Sequence, residues 1–217
     1  MREWIDWNAY LFGRYAVRCI IVSDVPRLDL PEWCRVAVYP YELPLFSLAK
    51  TSNYGIRLAG GGIVCKTDPD CVFSEEVLNA CLRVTPFAGI SPEYAMADSF
   101  ETRHAADYTW QASKGTMCLH FEHWKAICGY DERMEGYGIE DGECFHRAKH
   151  AQGRTVERVK LPFWHIAHSS AHQARGRSRK DCWNRDIGFN PKNHKFNQSQ
   201  IYSGVWAAES WGRPQPE

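Results

Sequence analysis

The sequence predicts an α/β fold. Two observations carry the prediction: short β-branched apolar runs alternate with helix-spaced segments up to about residue 168, and Gly, Pro and Ser-Asp signals punctuate the joins. A third concerns function, because an Asp-Pro-Asp triplet directly follows one of the apolar runs. Ligands of open α/β sheets bind beyond the carboxyl ends of strands.

The elements read in order as follows. Residues 3–15 place Trp4, Trp7, Leu11 and Tyr15 at helical steps, interrupted by Gly13. Residues 16–24 (AVRCIIVSD) form a buried strand ending in Ser-Asp, and 35–44 a shorter strand limited by proline. Between Leu45 and Ala59, the spacing of Phe46, Ala49, Asn53, Ile56 and Ala59 predicts a helix that the glycines 60–62 stop. The run IVCK is a strand up to Lys66, and Ser74 is the N-cap of the helix in SEEVLNACLRV. The segment TMCLHFEHWKAICGYDE reads as a strand running into a short helix, and 139–153 as a helix closed by Gly153. RTVERVKL and FWHIAH are two further short strands. From residue 169 to 217 the chain turns polar, basic and proline-rich, as expected of an arm and tail outside the folded unit of residues 1–168.

Composition narrows the function. The 26 basic and 26 acidic side chains cancel, which argues against a nucleic-acid partner or an acidic membrane surface. With 9 Trp and 10 Tyr, the chain has stacking surfaces to line a ligand cleft, although a bulky core uses the same residues. The nine cysteines include no Cys-x-x-Cys pair, so a zinc knuckle is not expected. Several lie in apolar runs, which suits a reducing, cytoplasmic setting. Neither a leader nor an apolar run of membrane-spanning length is apparent.

Asp-Pro-Asp triplets standing alone are usually turns, because proline fixes φ and Asp bonds nearby backbone. Asp68 and Asp70, however, stand at a strand end, where two carboxylates can meet one hard cation. His165 and His168 offer a third ligand, and imidazole favours Mn²⁺ over Mg²⁺. His120 and His123 form a competing pair whose members fall on a strand and on the following turn. The second acidic cluster is GYDERMEGYGIEDGE (129–143), in which glycines flank Tyr137 and Glu140 and Asp141 open a helix. Acids in a first turn are stabilised by the helix dipole alone. The glycines and aromatic before them suit a sugar acceptor, with one acid binding hydroxyls and the other removing a proton.

The ordered set FSLAKTSNYGIRLA, DPD, GYDERMEGYGIEDGE and WHIAH resembles the GT-A glycosyltransferases, in particular the galactosyltransferase and N-acetylgalactosaminyltransferase group. The likeness covers roughly residues 16–168. It implies a Rossmann-like mixed sheet flanked by helices, a UDP-sugar donor, a Mn²⁺ or Mg²⁺ ion, and a glycan or other hydroxyl acceptor. By this resemblance Asp68 and Asp70 form the Asp-x-Asp metal site with His165, and His168 touches phosphate. Asp141 is the catalytic base and Glu140 binds the acceptor. Tyr137 is the aromatic of a loop, and Lys50 and Asn53 lie in the helix flanking the nucleotide. The basic run 175–180 folds over the diphosphate. The usual first strand is expected to be absent or replaced, which keeps open a second reading: a catalytically inactive relative that binds a sugar or a partner, or a fragment completed by another chain. A metal hydrolase unrelated to this family is a third, requiring more His and Asp ligands.

Overall fold

The computed structural model describes residues 2–23, 30–39, 47–105, 115–132, 134 and 140–167. The elements are α1 (Arg2–Arg14), β1 (Cys19–Ser23), β2 (Cys34–Val38), α2 (Leu48–Ala59), β3 (Ile63–Lys66), β4 (Cys71–Val72), α3 (Glu75–Cys81), β5 (Ala88–Ala97), β6 (Met117–His120), α4 (Phe121–Ala126), α5 (Glu140–His150) and β7 (Thr155–Ile166). A five-stranded mixed sheet runs in the order β3-β6-β5-β7-β4, and β1 and β2 make a separate parallel pair. β5 and β7 are parallel; the other neighbours in the large sheet are antiparallel.

Local chemistry sets the boundaries that the sequence predicts. Ser47 caps α2 by accepting from the Lys50 N–H, and Gly60, at φ 72°, closes it in the left-handed region that glycine occupies without strain. Ser74 caps α3 through the Val77 N–H. Alternation along β6 divides the core: Met117 and Leu119 face the cluster built by α2, α4 and α5, while Cys118 faces that of α1 and α3. Both faces of the sheet are thereby covered.

Two expectations are corrected. β5 is the central strand, yet nothing in the sequence marks it, because Gly89, Ser91 and Pro92 punctuate it like a loop. Gly89 is needed there: a Cβ would fall 2.1 Å from Leu119 Cδ2 on β6. The two short strands expected near the end are one strand, β7. The register steps from Glu93↔Lys160 to Ala95↔Trp164, a bulge around Pro162, which has no N–H for the ladder.

The outer edge of β4 is met by a helix. Trp4 Nε1 (2.7 Å) and Asn8 Nδ2 (3.2 Å) donate to the Cys71 carbonyl, and the Phe73 N–H donates to Asn8 Oδ1 (2.9 Å). The fully buried Asn8 amide supplies a donor and an acceptor as a neighbouring strand would, so α1 satisfies this edge and pins the chain just after Asp70.

Candidate active site

β3 delivers the chain to Asp68 and Asp70, and the turn between them leads into β4. β4 pairs with β7 at Cys71↔His165, which sets His165 beside the triplet. His165 Nε2 lies 3.2 Å from Asp70 Oδ2. Tyr94 of β5 packs on the imidazole, with centroids 5.1 Å apart. Burial acts to lower the His165 pKa, but the hydrogen bond and charge of Asp70, with Asp68 behind it, prevail and raise it.

Asp141 enters from the first turn of α5. Lys66, the last residue of β3, joins the two acidic segments: its Nζ lies 2.8 Å from Asp68 Oδ1 and 3.1 Å from Asp141 Oδ1. Burial works against the Lys66 ammonium, and the two carboxylates outweigh it, holding its pKa above the ordinary lysine value. The buried Tyr130 donates its hydroxyl to Asp141 Oδ1 (3.0 Å). Burial raises the Asp141 pKa; Lys66 opposes the rise, as does the Tyr130 hydrogen bond, while Asp68 adds to it. An acid held above its usual range is a better proton acceptor near neutrality. Gly115 backs both carboxylates, since a Cβ there would fall 2.3 Å from Asp68 Oδ2 and 3.5 Å from Asp141 Oδ2.

Two of the three expected donors stand where one cation could take both; Asp68, paired with Lys66, does not close with them into a three-donor group. Asp70 and His165 offer oxygen and imidazole nitrogen 3.2 Å apart, and neighbouring ligands with bonds of about 2.1 Å lie about 3 Å apart. A mixed oxygen and nitrogen set suits Mn²⁺ better than Mg²⁺.

Other expected residues stand further back. Asn53 is fully buried in α2 and clamps Tyr130 through both backbone groups, accepting from its N–H (2.7 Å) and donating to its carbonyl (2.9 Å). Its amide also donates to Glu132 (2.8 Å). Asn53 therefore reaches the site through Tyr130. Lys50 lies in the first turn of the same helix, and Glu140 is buried at the first position of α5. Tyr137, His168 and the basic run 175–180 lie outside the described residues. His120 and His123 diverge: His120 caps α4 through the Glu122 N–H, and His123 is buried with Nε2 3.0 Å from the Ala148 carbonyl.

Comparison with known proteins bears on the fold. Residues 96–172 match the family model described as the N-terminal domain of galactosyltransferase. The catalytic domain of Drosophila beta1,4-galactosyltransferase 7, in complex with xylobiose, is 17% identical with a TM-score of 0.52, over 85% of this chain and 71% of that one. A mutant of the same enzyme, in complex with manganese, UDP-Gal and xylobiose, gives a TM-score of 0.51 at the same identity and coverage. The chain has the GT-A fold of these galactosyltransferases. No curated protein matches it.

Within this galactosyltransferase-like fold, the matched family segment contains Glu140, Asp141 and His165, whereas Asp68 and Asp70 precede it. Lys66, Tyr130 and Gly115 escape sequence reasoning. Lys66 left one trace, a lysine ending an apolar strand directly before two acids.

Proposed function

We propose that the protein is a metal-dependent glycosyltransferase that moves a sugar of the galactose or N-acetylgalactosamine type from a UDP-sugar to a hydroxyl acceptor. The supporting observation is a pair of contacts at the turn after β3: His165 of β7 meets Asp70, and Lys66 joins Asp68 to Asp141 of α5. Asp70 and His165 hold the ion, with Asp68 beside them, and Glu140 serves the acceptor. Lys50, Tyr137 and His168 serve the donor. When bound, the metal stabilises the negative charge that builds on the departing diphosphate.

The chain's own contribution centres on Asp141. Lys66 and Tyr130 both bond Oδ1 and fix the carboxylate, so Oδ2 is the oxygen that takes the proton. As the acceptor oxygen bonds to the anomeric carbon, its proton passes to Asp141. The bond from that carbon to the phosphate oxygen breaks, and its electron pair leaves with UDP. Asn53 acts as a positioning residue by clamping Tyr130. The free thiols of the eight described cysteines suit a cytoplasmic setting. No helix of the described residues is long and apolar enough to cross a membrane.

One observation favours the second reading, an inactive relative that binds a sugar or partner: Lys66 already supplies a cation to Asp68 and Asp141. Calorimetric titration with UDP separates the two. The enzyme requires UDP binding that depends on Mn²⁺ and loses that dependence in Asp70→Ala. Absence of UDP binding with and without the metal would sink it.

A further inference from the structure

Three thiols that the site does not use meet inside the core. Cys65 of β3, Cys81 at the end of α3 and Cys118 of β6 have their sulfur atoms all within 4.8 Å of one another. The sheet register makes the meeting a built feature. The Phe121 N–H donates to the Gly62 carbonyl (2.8 Å), and alternation along the antiparallel ladder then makes Cys65↔Cys118 a non-hydrogen-bonded pair. Side chains approach most closely at such positions. The end of α3 places Cys81 over this pair, within the cluster that holds Val77, Leu78 and Ile90.

The geometry points to a binding site for one soft, thiophilic ion, Cu(I), held by Cys65, Cys81 and Cys118. Metal–thiolate bonds of about 2.3 Å place trigonal sulfurs about 4 Å apart. The three thiols therefore need to contract by less than about an ångström to close on an ion. Thiolate selects soft metals. Among the described residues no further His, Cys, Asp or Glu joins the group. Structural zinc almost always takes four ligands, whereas Cu(I) is content with three. Each sulfur that binds as thiolate gives up its proton to solvent, and no electron transfer is involved.

The full chain, reduced and kept anaerobic, is titrated with Cu(I) in competition with the chromophoric chelator bicinchoninate. One equivalent should leave the chelator, and copper X-ray absorption should count three sulfur neighbours at about 2.3 Å. Cys65→Ser and Cys118→Ser should each weaken retention at least tenfold, while Cys128→Ser, outside the cluster, should not. The proposal is overturned if no copper leaves the chelator, if two sulfurs are counted, or if the Cys65 and Cys118 variants retain copper as the parent does. Should those variants fail to fold, the sulfur count in the parent protein decides alone.

Discussion

The ammonium of Lys66 lies 3.1 Å from the carboxylate of Asp141, and the same nitrogen lies 2.8 Å from Asp68. One buried cation thus ties the end of β3 to the start of α5, and with them the two acidic segments on which the proposed chemistry rests. Lys66→Met keeps the stem and removes the charge, leaving two neighbouring carboxylates without their shared partner. Breaking a pair of this kind by removing one member costs on the order of 3 kcal/mol. Urea denaturation should show a loss of that order, and an unchanged midpoint would mean that the bridge does not form in solution.

Asp141→Asn tests the base. The amide is nearly isosteric and can still accept from Lys66 and Tyr130 at its oxygen, yet it cannot take a proton. Transfer of sugar should fall by two to four orders of magnitude, the usual contribution of a positioned general base, while UDP affinity stays within a few-fold. Persistent transfer at the parental rate would assign the base to another residue.

Much of this arrangement was legible beforehand, and what was not has definable causes. Ser74 and Gly60 announce helix ends through their own local chemistry, so α3 and α2 read correctly. The triplet and Asp141 read through their position after a strand and at the start of a helix. β5 did not, since its breakers are tolerated only because β6 and β7 flank it, a tertiary fact absent from local pattern. Lys66, Tyr130 and the three-thiol cluster depend on contacts between residues remote in sequence. No spacing rule finds Cys65, Cys81 and Cys118.

Gly115 offers a steric test of the same site. A methyl group there would collide with Asp68 Oδ2 at 2.3 Å, and relief requires the carboxylate to leave Lys66 or the backbone to retreat. Gly115→Ala should cost about 1–3 kcal/mol, as overpacking does, and should weaken Mn²⁺-dependent UDP binding. Thermal melting and calorimetry read the two effects, and full retention of both would show that the site is more open than the close approach implies.

His123 ties α4 to α5, the helix that carries Asp141. It is fully buried on α4, with Nε2 3.0 Å from the Ala148 carbonyl of α5. Burial is the main influence and lowers its pKa below the ordinary histidine value; the hydrogen bond to Ala148 opposes this and Arg154 assists it. In the unfolded chain the imidazole titrates near its usual value of about 6.5. Below that pH the unfolded state takes up a proton that the folded state resists. The histidine's contribution is therefore present above about pH 6.5 and declines as pH falls toward the folded pKa. His123→Gln keeps a side-chain donor for Ala148 and removes the titration. Denaturation of both proteins at pH 7.5 and 5.5 should show the parent losing more stability on acidification than the variant. Parallel losses would mean that His123 takes up its proton without breaking the bond to α5.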